Sequence, residues 1–182
     1  MPVLHVGDVV AARRLDAIDG TEVPVPDPTR LVHLQFRRFA GCPICHLHLR
    51  SVARRHDEIR AAGVVEVAVF HSAADALRKH QSDLPFGVVA DPERVLYREF
   101  GVGSSPASIA HPRAWLAAVR GTRQQRSPTA GMGRGEDHFG LPADFLIGPD
   151  GALLAVKYGK HADDQWSVDD IIAVASRHGP PG

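Results

Sequence analysis

The alternation of apolar and polar positions divides the chain into short β-branched runs and longer stretches of helical period. Leu31–Phe36 is mostly apolar and of strand length, and Ile44, Leu47, Val52 and Ile59 then recur at a spacing that predicts a helix to about Ala62, stopped by Gly63. Val64–Phe70 is a β-branched run broken only by Glu66, the pattern of a strand covered on both faces of a largely parallel sheet. Ser72-Ala73-Ala74-Asp75 predicts a capping box opening a helix to about His80. Phe86–Ala90 reads as the next strand. Asp91 and Pro92 then suit the N-cap and first position of a helix that runs through Tyr97 to Phe100 and ends at Gly101.

The flanks differ. Val9–Ala12 and Thr21–Val25, separated by Asp19-Gly20, predict an N-terminal hairpin, and Pro24, Pro26 and Pro28 mark an extended connection after it. From 102 to 140 the strand pattern disappears: one helix-like piece, Pro112–Val119, precedes the polar, glycine-rich Gly121–Gly140, which reads as an insertion near the active end. Leu141–Ile147, with Pro142 at its head, the turn Pro149-Asp150-Gly151 and Ala152–Tyr158 make an antiparallel hairpin. Ser167-Val168-Asp169-Asp170 caps a last helix that buries Ile171, Ile172, Val174 and Ala175. These elements form a single domain over 1–182, with 1–30 as an N-terminal extension and 102–140 as the insertion.

Composition narrows the function. The 182 residues, 44% of them hydrophobic, suffice for one buried core. Lys plus Arg (21) balances Asp plus Glu (21), which argues against nucleic acid or an anionic membrane as partner. No apolar run approaches the ~18 residues of a membrane span, and no signal sequence is visible, so a cytoplasmic protein is expected.

The chain has two cysteines, Cys42 and Cys45, separated by Pro43-Ile44 at the strand–helix junction. Pro43 suits the first helical position, which makes Cys42 the N-cap. A helix N-terminus, the upstream Arg37 and Arg38, and the C-x-x-C spacing all favour a reactive thiolate. Cys45, one turn inside, is expected to be the more buried and close enough for a disulfide. Strand, C-x-x-C at a helix start, strand, helix, then a proline-led hairpin and a closing helix is the thioredoxin-like order: an α/β fold with a central mixed sheet flanked by helices.

The N-terminal hairpin, the Asp91-Pro92-Glu93 element, Phe145-Leu146-Ile147-Gly148-Pro149-Asp150-Gly151 and Arg37-Arg38-Phe39-Ala40-Gly41-Cys42-Pro43-Ile44-Cys45 together resemble the peroxiredoxin-like proteins of the alkyl hydroperoxide reductase/thiol-specific antioxidant superfamily. The resemblance implies an antioxidant oxidoreductase without a bound cofactor, a peroxide or disulfide substrate, and an external dithiol reductant, thioredoxin-type or of low molecular weight. It also admits a homodimer. Where such enzymes place proline and threonine ahead of the peroxidatic cysteine, this chain has Gln35 and Phe39, which favours thiol–disulfide exchange over fast peroxide reduction.

In this reading Cys42 is the nucleophile and Cys45 the resolving partner, as also in the alternative of a hydroperoxide- or endoperoxide-reducing thiol peroxidase. Arg38, Pro43 and Pro142 shape the site, Pro142 as counterpart of the proline that faces the cysteine pair in thioredoxins, with its preceding peptide a candidate for cis. Glu66 is a candidate proton acceptor for Cys45, set against a solvated position at a strand end. A different class, a copper- or zinc-binding module, would use Cys42 and Cys45 with His46 and His48, but His46 points roughly 100° from Cys45 around a helix. Gly131–Gly135, Asp137 and His138 read as loop or surface residues, and Trp115 and Trp166 as packing residues.

Overall fold

A computed structural model describes residues 3–104 and 140–179. The helix-like piece Pro112–Val119, Gly131–Gly135, Asp137, His138 and Trp115 lie outside the described residues. Five strands form the central sheet: β3 (Leu31–Arg37), β4 (Val64–Phe70), β5 (Gly87–Ala90), β6 (Ala143–Ile147) and β7 (Leu153–Tyr158), after the two-stranded hairpin of β1 (Arg13–Asp16) and β2 (Glu22–Val25). Their order is β5-β4-β3-β6-β7, with β3, β4 and β5 parallel and β6 and β7 antiparallel to their neighbours. The helices are α1 (Pro43–Arg54), α2 (His56–Ala61), α3 (Ala74–Gln81), α4 (Val95–Glu99) and α5 (Val168–Ser176).

Because side chains alternate across a strand, β3 sends Val32, Leu34 and Phe36 to one face and Leu31, His33, Gln35 and Arg37 to the other. The first face packs on α4 and the hairpin through Leu15, Val25, Phe100 and Phe145. Phe36, Phe100 and Phe145 meet at ring-centroid distances of 5.2, 5.7 and 5.1 Å, a three-ring centre to this core. The second face carries α1, α3 and α5. The N-terminal segment shields both sheet edges: Ile18 N–H donates to the Val88 carbonyl beside β5, and Val10 N–H to the Gly151 carbonyl beside β7.

Several boundaries differ from the pattern in the sequence. The first hairpin strand is Arg13–Asp16, not Val9–Ala12, because it is Arg13–Asp16 that pairs with β2, while Val9 and Val10 bond to Ala152 and Gly151 beside β7. The helix after the cysteines breaks at Arg55, whose guanidinium is drawn to Glu58 and, across to α5, Asp169; Gly63 ends α2 at φ +77°. Ser72 does not cap α3; its hydroxyl accepts from Ala40 N–H in the cysteine loop at 2.8 Å. Asp91 does not open a helix directly either. Its two carboxylate oxygens accept from Val95 and Tyr97 N–H, so α4 starts at Val95. The capping box at Ser167 and Asp170 is present as read.

Candidate active site

The site forms where β3 ends and α1 begins. Cys42 is the N-cap of α1 and Pro43 its first residue, where a missing N–H leaves no bond unmade. The preceding turn is pinned from three directions: Cys42 N–H donates to the Phe39 carbonyl, Ala40 N–H to Ser72, and the Gln81 amide of α3 to the Ala40 carbonyl. The sequence pattern gives Ser72 only a helix-capping role and places Gln81 just past the expected helix end near His80, so neither is marked as a partner of the cysteine loop.

Both cysteines are free thiols and both are buried, so the expected contrast in exposure between them is absent. Their contrast is electrostatic. Cys42 Sγ accepts from Cys45 N–H at 3.4 Å and from Arg38 Nη1 at 3.7 Å. Burial pushes its pKa up, but the Cys45 thiol, the Arg38 charge and the backbone N–H groups of Cys45 and Ile44 outweigh that and bring it down from 9.0 to about 7. For Cys45, burial, its bond to Cys42 and the Cys42 charge all push the thiol well up. Arg38 N–H also reaches Cys45 Sγ at 3.5 Å, so one residue touches both sulfurs. The Phe39 ring supports its guanidinium, 5.5 Å from the ring centroid.

Arg37 does not join Arg38 there. It is fully buried on the helix-bearing face, donating to Gln35, to Asp144 at 2.6 Å and to His48 Nε2 at 3.1 Å. The same cluster holds His33, between Glu66 at 2.9 Å and Asp144 at 3.2 Å, and Gln35, which donates to Glu66 at 2.7 Å. Burial alone would lower the His33 pKa, yet Glu66 and Asp144 raise it from 6.5 to about 9, and Arg37 and His33 hold the Asp144 carboxyl well below its usual range. Glu66 is thus buried, not solvated, and its hydrogen bonds go to His33 and Gln35.

Pro142 is buried at the head of β6, opposite Arg37 by the Phe36–Ala143 register, and so lies at the same end of the sheet as the cysteine loop. Its preceding peptide is trans; the cis bond among the described residues is Val25–Pro26. His48 is engaged with Arg37, and among the described residues no group of three or more His, Cys, Asp or Glu is arranged to hold a metal ion. Tyr97 of α4 is a site residue that pattern reading assigns only to a helix. Its hydroxyl bonds the carbonyls of Arg37 and, at 3.0 Å, Val69, tying together the ends of β3 and β4.

A parallel-centred sheet with a C-x-x-C dithiol at the start of the helix after its middle strand defines a thioredoxin-type oxidoreductase scaffold. The sequence model of the AhpC/TSA family matches residues 6–156, and the chain belongs to that family of peroxiredoxin-like, thiol-dependent oxidoreductases. No curated protein matches it in sequence. Among solved structures it is similar to AhpC of Mycobacterium tuberculosis, with TM-score 0.69 and 15% identity over 98% of this chain and 95% of that one. It is also similar to peroxidoxin BcpB of the same organism, with TM-score 0.63 and 18% identity over 94% and 96% of the two chains. A structure from Chlorobium tepidum described as a thiol:disulfide interchange protein DsbE superposes with TM-score 0.59 and 22% identity over 94% and 99%. Among the described residues no helix is long and apolar enough to cross a membrane.

Proposed function

We propose that the protein is a thiol–disulfide oxidoreductase in which Cys42 is the nucleophile and Cys45 the resolving thiol. The observation that carries this reading is the set of donors around Cys42 Sγ, namely Cys45, Arg38 and the helix N-terminus, which brings its pKa to about 7 while Cys45 stays a thiol. The Cys42 thiolate attacks one sulfur of a substrate disulfide, forming a mixed disulfide and releasing the other sulfur as a thiolate. That step removes the Cys42 charge and acceptor that raise the Cys45 pKa, so Cys45 loses its proton more readily just when it must attack. Its attack on Cys42 Sγ yields the Cys42–Cys45 disulfide and the second substrate thiolate. An external dithiol, oxidised in turn, returns the pair to thiols. Both sulfurs are covered, so a substrate reaches Cys42 only when that cover shifts.

Membership of the AhpC/TSA family supports a second reading, thiol peroxidase activity. Here Cys42 takes one peroxide oxygen to become a sulfenic acid, an alcohol or water leaves, and Cys45 condenses with the sulfenic acid, releasing water. Gln35 and Phe39 favour the exchange reading: Gln35 is bonded to Glu66 and Arg37, and Phe39 offers no hydroxyl to a peroxide. A cytoplasmic location fits a pair kept reduced between turnovers.

Rapid mixing of the reduced protein with hydrogen peroxide and with a small disulfide separates the two. Exchange predicts fast loss of two thiols with the disulfide and a rate with peroxide no greater than that of free cysteine. Peroxide consumption far above the free-thiol rate would make the peroxidase reading the right one. Retention of full redox activity in Cys42→Ser would overturn both.

A further inference from the structure

The segment 159–166, between β7 and α5, forms a strap at the cysteine end of the sheet. Gly159 N–H donates to the Pro142 carbonyl at 2.9 Å, and Trp166 N–H donates to Asp144 Oδ2 at 3.1 Å, so both ends of the strap are tied at the head of β6. Between them Asp164 closes a tight loop. Its carboxylate accepts from Lys160 N–H at 2.9 Å and pairs with Lys157 Nζ at 2.9 Å, and its own N–H donates to the His161 carbonyl at 3.0 Å. Ala162, within that loop, is fully buried in the same apolar cluster as Phe39, Cys42, Ile44 and Cys45. The contact with Pro142 requires a glycine: a β-carbon on Gly159 would stand 2.6 Å from the Asp164 carbonyl oxygen and 2.7 Å from Pro142 Cγ.

A protein disulfide presents its sulfurs on an extended chain, and such a chain gains affinity by bonding to unpaired backbone at the site. Here the backbone around the cysteines is already bonded within the molecule. Cys42 N–H goes to the Phe39 carbonyl, Ala40 N–H to Ser72, and the Ala40 carbonyl to Gln81. The residues that lead into β6 are used in the same way. Gly140 bridges Ser104, Leu141 N–H donates to the Gly103 carbonyl at 3.1 Å, Pro142 has no N–H to offer, and its carbonyl is taken by Gly159. An incoming peptide therefore has to displace the strap before it can bond there. A small disulfide needs only room for its sulfurs and their substituents beside Cys42.

We propose that the strap selects low-molecular-weight disulfides as substrates and excludes extended protein chains. Such a disulfide is reduced to two thiols as Cys42 and Cys45 become a disulfide. The proposal rests on Cys42 being the nucleophile, and it makes Gly159 a specificity-determining residue that acts by holding the strap against Pro142.

The test compares two disulfides of matched chemistry, bis(2-hydroxyethyl) disulfide and the mixed disulfide of 2-mercaptoethanol with the cysteine of an unstructured peptide. Each is mixed with the reduced full-length protein, and each rate is divided by that of the same disulfide with dithiothreitol. The readout is the ratio of peptide to small-disulfide rate. In the wild type it should lie about tenfold below unity, the equivalent of roughly one backbone hydrogen bond that the peptide must displace. Gly159→Ala, whose methyl group forces the strap off Pro142, should bring the ratio close to unity. Asp164→Ala, which removes the loop closure without adding bulk, should do the same, and serves if Gly159→Ala does not fold. A wild-type ratio near unity overturns the selectivity, and a low ratio unchanged in the variants overturns the strap as its cause. Cys42→Ser should lose both reactions. Retention of the small-disulfide rate in Cys42→Ser would instead overturn the nucleophile assignment, and is read independently of the ratio.

Discussion

The two faces of the central sheet are built from the same strands and follow different rules. On one, Val32, Leu34, Phe36, Phe145 and Phe100 make a dry aromatic and aliphatic core. On the other, His33, Gln35, Arg37, Glu66 and Asp144 form a hydrogen-bonded ionic layer, buried as deeply as the phenylalanines and lying directly beneath α1. Apolar contacts are non-directional and tolerate small shifts, whereas a buried ion pair stabilises only at good geometry and with its remaining bonds satisfied. The charged face therefore sets position. Arg37 adjoins Arg38, and His48 lies one turn beyond Cys45, so the layer holds both the strand end and the helix that present the dithiol.

The sharpest way to break this comparison is to cut each face once. Phe145→Ala leaves a cavity and should cost about 3–5 kcal/mol in urea unfolding. Asp144→Ala leaves Arg37 and His33 without their shared carboxylate and should cost a similar amount, about 3–5 kcal/mol. The variants separate in a second measurement, the pH profile of Cys42 alkylation. It should move in Asp144→Ala and stay centred near the wild-type value of about 7 in Phe145→Ala. Equal profiles in the two would show that the ionic layer does not position the site.

The faces also differ in pH response. The folded state raises the His33 pKa to about 9, so the stability this group contributes is complete below its unfolded value near 6.5 and is lost as pH rises through about 9. The loss should be on the order of 3 kcal/mol. Asp144 works in the opposite direction: its lowered pKa gives stability above the usual carboxylate range that is lost in strong acid. Unfolding midpoints between pH 6 and 10 test the alkaline limb, and His33→Leu should flatten it.

Tyr97 belongs to the apolar core but sends its hydroxyl to the Arg37 and Val69 carbonyls, where the faces meet. Tyr97→Phe should cost about 1 kcal/mol and quicken hydrogen exchange at the ends of β3 and β4. The smallest effect is a gain. Arg94→Gly should stabilise the fold by about 1 kcal/mol, because glycine occupies the left-handed region without strain. A loss of stability there would mean that contacts of the Arg94 side chain outweigh its backbone strain.

Much of the scaffold was legible in the residues because its signals are local. The β-branched run Val64–Phe70, the turn before β7, the Ser167 capping box and the Cys42-Pro43-Ile44-Cys45 helix start each depend on neighbours a few positions away. Local signals misled where a side chain had a distant partner. Ser72 looked like a cap for its own helix and instead holds the cysteine loop, and Arg37, read as a companion to Arg38, turns inward to Asp144. Alternating polar residues at His33, Gln35 and Arg37 were a visible hint of the ionic layer. Nothing in the sequence paired them with Glu66 and Asp144.

What the sequence determined alone is therefore the element order, the dithiol and its helix-start setting, all of which follow from spacing and backbone preference. The tertiary structure decided which of two adjacent arginines faces the sulfurs and where Glu66 and Ser72 spend their hydrogen bonds. Those choices rest on pairings between residues up to 107 positions apart, as for Arg37 and Asp144. Strand register, which no local pattern encodes, makes them.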